Sequence, residues 1–126
     1  IILENLALNN KDLRELPSLI NKYSELKALK LQGIGLKSAD GIKLDKLRSC
    51  AIGNNMISDL RTVMRLVTNC PLLESLDCDG NPCVSKPRYR ERLAASSPTT
   101  CLRVVNQRDL SVVERVNGVA AFGSRR

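Results

Sequence analysis

The stretch LESLDCDGNPCV, residues 73–84, decides the fold because its apolar residues follow a fixed spacing. Leu73, Leu76, Cys78 and Cys83 match the template Leu-x-x-Leu-x-Leu-x-x-Asn-x-Leu, and Asn81 fills its ninth position. The two cysteines allow two interpretations. In the first, they do chemistry, as half of a metal site or as a reactive thiol pair. In the second, they are small core residues in a repeating unit. The rest of the chain must decide between these interpretations.

The same template recurs along the chain. Its further copies are 3–13 (LENLALNNKDL), 26–36 (LKALKLQGIGL) and 47–57 (LRSCAIGNNMI), with a weaker copy from Leu102. Within the first copy, the alternation of apolar residues predicts a short strand with Leu6 and Leu8 inward and Ala7 outward. Such short strands are stable only when neighbouring copies stack, so the repeats predict a parallel sheet.

The ninth position of the template carries Asn in the two later copies only. Asn55 and Asn81 can bond the backbone of adjacent turns, whereas Lys11 and Ile34 cannot. We therefore predict an incomplete asparagine ladder and a looser N-terminal end.

Helical segments are predicted between the strands. Apolar spacing and capping residues place them at 13–25, 58–70, 85–96 and 109–116. Ser58 or Asp59 can cap the second helix, and Ser85 begins the third with Pro87 early. We expect Tyr89, Leu93, Leu102 and Val105 to cover the core of the last repeat, because a solenoid must protect its end turn.

On these copies, the sequence resembles the intracellular leucine-rich repeat class with short repeats of about 22 residues. That class includes the regulatory subunit of protein phosphatase 1, the spliceosomal A′ protein and the leucine-rich light chain of axonemal dynein. The resemblance implies an α/β fold: a right-handed solenoid with a parallel concave sheet, a helical convex side and a C-terminal cap. We expect about four repeats plus the cap, residues 84–117, in one domain of residues 1–117. Residues 118–126 are expected to be a tail or linker.

The repeat assigns the cysteines to the core. Cys78 takes the slot of Leu8 and Leu31, Cys83 that of Leu13 and Leu36, and Cys50 that of Leu6. Cysteine packs as a small apolar residue. Cys70 and Cys101 are assigned to packing on weaker grounds. We predict no metal site and no cofactor, since a fourth ligand and a C-x-x-C motif are both missing.

The composition argues against an enzyme. The chain has no His, which excludes imidazole-based acid–base chemistry, and no glycine-rich phosphate loop. Asp77 and Asp79 could form a carboxylate pair, but an acidic binding patch is the favoured interpretation. Five cysteines, an odd number, indicate free thiols in a reducing compartment. The periodic pattern starts at once, so we expect a segment of a longer chain.

Outward positions of the predicted sheet supply the candidate binding residues. Small residues fill the central columns, so the backbone of a partner could come close. Charged residues are sorted by sign along the solenoid, and the predicted partner-binding residues are Lys27, Lys30, Arg48, Glu74, Asp77 and Asp79. Ordinary solvated charges are the alternative interpretation.

A second candidate is the basic C-terminal third. Residues 1–84 hold 11 Lys/Arg and 10 Asp/Glu, whereas residues 85–126 hold 9 and 3, so nearly all of the net charge of +7 lies there. The predicted basic patch is Lys86, Arg88, Arg90 and Arg92. It could contact nucleic-acid phosphates or an acidic protein surface. A solvated helix face is favoured, because stacking aromatics are nearly absent.

We therefore predict a non-catalytic protein-interaction module that binds a protein partner on its concave face. It would act as a cytoskeletal, flagellar or phosphatase-regulatory scaffold, in the cytoplasm, on the cytoskeleton or in the nucleus. The alternative is a ribonucleoprotein or RNA-export component that uses the basic cap. No apolar run approaches the ~20 residues of a membrane span, so no membrane partner is predicted.

Overall fold

A computed structural model describes residues 1–98 and 101–123 of the chain. Six short strands form one sheet in sequence order. They are β1 (Ile2–Glu4), β2 (Ala28–Gln32), β3 (Ser49–Ala51), β4 (Ser75–Asp77), β5 (Val104–Val105) and β6 (Arg108–Asp109). The first five strands are parallel, and β6 turns back antiparallel to β5. The predicted mixed fold with a parallel sheet is confirmed.

The register confirms four of the five copies. Leu29, Cys50, Leu76 and Val105 lie side by side on consecutive strands, and all four are the fourth residue of their copies. Each is at most 2% exposed. The weak copy that begins at Leu102 is therefore a true repeat turn.

The predicted register of the first copy is wrong by five residues. Leu3, not Leu8, pairs with Leu31. Leu6 then falls on the ninth position, where it is 44% exposed instead of pointing inward. The cause is local: Asn9 caps the following helix, its Oδ1 accepting from the Asp12 backbone N–H at 2.8 Å. Because the helix begins at Asn10, Leu13 lies inside it and cannot take the eleventh template position after the strand.

Four α-helices cover the other side of the sheet. They are α1 (Asn10–Asn21), α2 (Leu60–Asn69), α3 (Tyr89–Ser96) and α4 (Val112–Phe122), with a 3₁₀ turn at Pro82–Ser85. None of these described helices is both long enough and apolar enough to cross a bilayer. Residues 33–48 connect β2 to β3 without a helix, yet they bury Ala39, Ile42 and Leu44.

The helix boundaries correct several predictions. Helix α1 starts three residues earlier than predicted and continues through Pro17. Asp59 is the N-cap of α2, its carboxylate accepting from the Arg61 backbone N–H. Ser85 ends the 3₁₀ turn, and α3 begins only at Tyr89. Helix α4 continues to Phe122, so the proposed boundary at residue 117 falls inside a helix; residues 124–126 lie outside the described part.

The core is one aliphatic cluster between sheet and helices. Leu31, Ile52, Leu76 and Leu93 are its fully buried centre, at 0% exposure. The expected cap residues cover the last repeat: Leu93, Leu102 and Val105 are buried, and Tyr89 packs against them.

The cysteines answer the opening question. Cys50, Cys78 and Cys83 are buried members of this core, as predicted, and Cys70 joins them. Burial raises the pKa of the Cys50 thiol, while a hydrogen bond with Cys83, together with burial, raises that of Cys78. Cys50 and Cys78 therefore pack as neutral side chains, whereas the hydrogen bond with Cys78 lowers the pKa of Cys83.

Candidate partner-binding surface

Two buried asparagines hold the strands that carry the surface. Asn55 Oδ1 accepts from the backbone N–H groups of Ile34 and Leu36 at 3.0 and 3.1 Å. Its Nδ2 donates to the carbonyls of Leu31, Ile52 and Gly53. One side chain thus joins two successive turns, which fixes the spacing of the face above it.

Asn81 repeats this role one turn later. Its Oδ1 accepts from the Ile57 backbone N–H at 3.1 Å, and its Nδ2 donates to the carbonyls of Ile52 and Cys78. In the cap, Asn106 Oδ1 accepts from the Cys78 backbone N–H at 2.8 Å. The ladder therefore runs from the third copy into the cap, and the prediction that the first two copies lack it is confirmed.

The exposed sheet face has small residues along its middle. Ala28, Ser49 and Ser75 form one column, and Ala51 stands between Lys30 and Asp77 in the next. Neighbouring parallel strands lie about 4.8 Å apart, so the five parallel strands span roughly 19 Å. This width suits one extended or helical segment of a partner laid across the strands.

Ion pairs within the face neutralise half of the predicted residues. Lys30 Nζ lies 2.9 Å from Glu4 Oε1, and Arg48 Nη1 lies 2.8 Å from Glu74 Oε2. Both pairs are well exposed, so each contributes little to stability. They reduce the predicted separation of positive and negative patches.

The remaining predicted residues keep their charge. Lys27 is exposed at the start of β2 and forms no ion pair among the described residues. Asp77 accepts from the Asp79 backbone N–H at 3.1 Å and from Gln107 Nε2 at 3.4 Å, and neither carboxylate meets a cation in the described part. The unneutralised charge of the face is therefore acidic at its C-terminal side.

One member of the predicted basic patch is wrongly assigned: Arg90 is only 7% exposed and is a structural residue. Its Nε donates to Glu114 Oε2 at 2.7 Å, and its Nη1 donates to the Val105 carbonyl at 2.6 Å. Its Nη2 donates to the carbonyls of Arg108 and Asp109. We call these five groups the Arg90 network; it ties α3, the β5–β6 hairpin and α4 together.

Glu114 serves the network and caps its own helix. Its other oxygen accepts from the Ser111 backbone N–H while Ser111 Oγ accepts from the Glu114 N–H, which is a capping box. Burial opposes ionisation of Glu114, but the hydrogen bonds from Arg90 and Ser111 outweigh it and lower its pKa.

The other three patch residues lie on the helical side of the cap. Lys86 and Arg88 are exposed, and Arg92 is partly buried. Arg88 and Arg92 place their guanidinium carbons 5.0 and 4.7 Å from the centre of the Phe122 ring. Whether these residues contact a partner stays a prediction.

The sequence analysis missed an exposed apolar stripe on α4. Val112, Val116 and Val119 are each more than half exposed and recur at helical spacing. Their spacing is visible in the sequence, but a helix that ends at residue 116 and closes the fold, as predicted, does not contain Val119 and so does not indicate this stripe.

Comparison with solved structures agrees with this architecture. The chain superimposes on the Mex67:Mtr2 subunits of Chaetomium with TM-score 0.63 and 18% identity, over 95% of this chain and 88% of that one. The Drosophila melanogaster SNF/U2A′ complex gives TM-score 0.62 and 19% identity, over 98% and 84%. The Mex67 LRR domain of Chaetomium thermophilum gives 0.64 and 18%, over 92% and 87%.

No protein-family model and no curated protein match the sequence. The structural likeness nevertheless covers nearly the whole chain. The protein has the leucine-rich repeat fold, as the residue pattern predicted.

Proposed function

We propose that this protein is a non-catalytic interaction module whose concave sheet face binds a protein partner. The observation that carries the proposal is the sheet face itself: small residues run down its middle across strands held in register by buried asparagines. A partner backbone can approach such a face closely, and the rigid scaffold costs little ordering on binding.

The charges on the sheet face indicate which charges a partner segment should carry. Among the described residues, Asp77 and Asp79 are carboxylates of the face without an ion pair, and Lys27 is a cation without one at the other side. A segment with basic residues toward the C-terminal side of the solenoid would complement them. The pairs at Lys30 and Arg48 would then be exchanged for contacts with the partner, at small cost because they are exposed.

The similar structures support this proposal. Two of them are complexes, Mex67:Mtr2 and SNF/U2A′, so comparable folds are found with protein partners. The absence of His from the sequence and the shallow shape of the sheet face support a role without catalysis. Buried, unpaired cysteines support the proposed intracellular location, in the cytoplasm, on the cytoskeleton or in the nucleus.

Affinity capture from cell extract with quantitative mass spectrometry tests the proposal. We expect a partner that is retained by the unmodified protein and lost with the double variant Asp77→Lys and Asp79→Lys. The matched control is Lys11→Glu, an exposed charge reversal on helix α1, which should retain it. If every captured protein survives both variants equally, the sheet face is not the binding surface.

The identity of the captured protein decides between finer roles. A phosphatase subunit or an axonemal protein would support the scaffold role that the sequence resemblance suggests. The second candidate is a ribonucleoprotein or RNA-export role, supported by the exposed Lys86 and Arg88, by the partly buried Arg92 and by the same resemblance. RNA crosslinks at Arg88 or Arg92 would favour it.

A further inference from the structure

A groove on the helical side of the protein contains basic side chains and an apolar contact point, and it lies apart from the sheet face. Helix α2 lies beside α3, and two adjoining cavities of about 460 and 380 Å³ open between them. They share Arg61, Met64 and Arg92, so they form one continuous depression. We call it the helix-side groove.

The lining of the groove is strongly cationic. Its basic residues, which we call the groove cations, are Arg61, Arg65, Lys86 and Arg92. The only carboxylate among its lining residues is Asp59. Asp40, at the rim, pairs with Arg65. Four cations against two carboxylates leave an excess of two positive charges.

The groove arginines already hold carboxylates in the geometry expected for a ligand. Arg65 donates through Nε and Nη2 to both oxygens of Asp40 at 2.7 and 2.9 Å, which is a bidentate pair. Arg61 donates likewise to both oxygens of Asp59. These hydrogen bonds lower the pKa of Asp40 and of Asp59. Because the arginines remain 54% and 78% exposed, a carboxylate from solution can reach them.

An apolar contact point lies among these charges. Met64 lines both cavities, and Phe122 from α4 lines the second. Arg88 and Arg92 lie over the Phe122 ring at the distances given above, so a nucleotide base would have to displace them to stack on its face. The thioether of Met64 adapts to apolar side chains of different shape.

We propose that the helix-side groove binds an acidic peptide segment. Carboxylates of the peptide would contact the groove cations, and one apolar side chain would pack between Met64 and Phe122. Charge complementarity argues for an acidic ligand, and the apolar contact argues for a peptide rather than RNA. This site is separate from the sheet face and does not depend on the function proposed for that face.

Fluorescence anisotropy with a labelled peptide, DEELEEFDE, tests the proposal at low and at physiological salt. We expect saturable binding that weakens with salt. Arg61→Glu and Arg92→Glu should each weaken binding about tenfold or more, because a like charge then faces the ligand. The matched control is Arg103→Glu, an exposed arginine that begins the strand turn before β5 and lies outside the groove; it should change binding by less than about twofold.

A second peptide, a Met64 variant and a folding control test the apolar contact and exclude unfolding. A peptide with its Leu and Phe replaced by Ser should bind more weakly than the parent, and Met64→Ala should remove that difference. Circular dichroism verifies that each variant is folded. No saturable binding, equal loss with Arg103→Glu, or tighter binding of a uridine oligonucleotide with loss in the same variants would each overturn the proposal.

Discussion

The two terminal turns of the solenoid differ in how much of their apolar side chains is exposed. At the N-terminal end, Ile1, at the fourth template position, is 39% exposed, and Leu6 is 44% exposed. At the C-terminal end, the cap buries Leu102 and Val105, and the Arg90 network ties the cap elements together. A repeat can bury its apolar residues only against a neighbour or a cap, so within the described residues the last turn is closed by the cap and the first turn is partly exposed.

The asparagine ladder also differs between the two ends of the solenoid. It joins the third and fourth copies and reaches Asn106 in the cap, whereas the first copy has Leu6 at the equivalent position. Removing a hydrogen bond of the cap or of the ladder should therefore lower the free energy of unfolding far more than removing a side chain of the first turn.

The largest effect is expected for Arg90→Met, which breaks the Arg90 network. It leaves the Glu114 carboxylate and three backbone carbonyls without their donor, so we expect a loss of about 3–5 kcal/mol in the free energy of unfolding. Urea denaturation measures it. Arg103→Met, at an exposed position, is the control and should change stability by less than about 0.5 kcal/mol. Equal losses in the two variants would show that the cap does not depend on this residue.

The next effect is expected at the ladder. Asn55→Ala removes the acceptor for two buried backbone N–H groups, whereas Asn81→Ala removes it for one. We expect losses of about 3 and about 2 kcal/mol respectively, because each unsatisfied buried group costs about 1–3 kcal/mol. Thermal and chemical unfolding should rank the variants in this order. The reverse order would mean that the ladder is strongest next to the cap.

A smaller effect is expected for Glu114→Gln, and it should depend on pH. The folded-state pKa of Glu114 is lowered, so its ionised form adds stability above the unfolded pKa of about 4.3 and loses it as pH falls through the folded value. At neutral pH we expect the variant to be about 1 kcal/mol less stable, with the difference shrinking in acid. In the Arg90→Met background the pH dependence should shrink, because only the hydrogen bonds with Ser111 then lower the pKa of Glu114; an unchanged pH dependence would show that Arg90 does not lower it.

The smallest effect is expected at the open end. Leu6→Ser removes an apolar side chain that is already 44% exposed, so stability should change by less than about 0.5 kcal/mol. Leu31→Ala, one strand further in and fully buried, should cost about 2–5 kcal/mol. Similar losses for both would show that the first turn is as well packed as the second.

The repeat pattern was sufficient to predict most of the fold. Residues at the fourth template position are buried in every copy from β2 onward, and those at the sixth position are buried in the copies of β2, β3 and β4, because short parallel strands have no other way to bury them. In the last copy the sixth position is Gln107, which is exposed. The first copy was misplaced because Leu3, Leu6, Leu8 and Leu13 fill all four leucine positions of the template, whereas the observed register fills only three of them, with Ile1, Leu3 and Leu8. Only the helix cap at Asn9 distinguishes the two registers.

The end of α4 was missed for a different reason. Asn117-Gly118 reads as a helix end, since glycine commonly follows a helix. In the structure Gly118 is buried inside α4, and a Cβ there would lie 2.4 Å from the Glu91 carbonyl oxygen. This glycine permits close packing of α3 and α4, and such a contact between distant segments leaves no trace in local sequence pattern.

The candidate sites were predictable only in part. Spacing placed the six charged residues on the sheet face, but it could not show that Lys30 and Arg48 meet Glu4 and Glu74. Nor could the charge of the run KPRYRER reveal that Arg90 is buried, because that depends on where the β5–β6 hairpin lies.

Amide hydrogen exchange at two matched asparagines compares the ends of the solenoid most directly. The backbone N–H of Asn5 donates to the Gln32 carbonyl at 2.9 Å, and that of Asn106 donates to the Leu76 carbonyl at the same distance. Both residues have positive φ and both follow a strand. If the cap closes one end and the other is open, the Asn106 amide should exchange far more slowly than the Asn5 amide. Equal protection, or slower exchange at Asn5, would contradict the difference between the two ends.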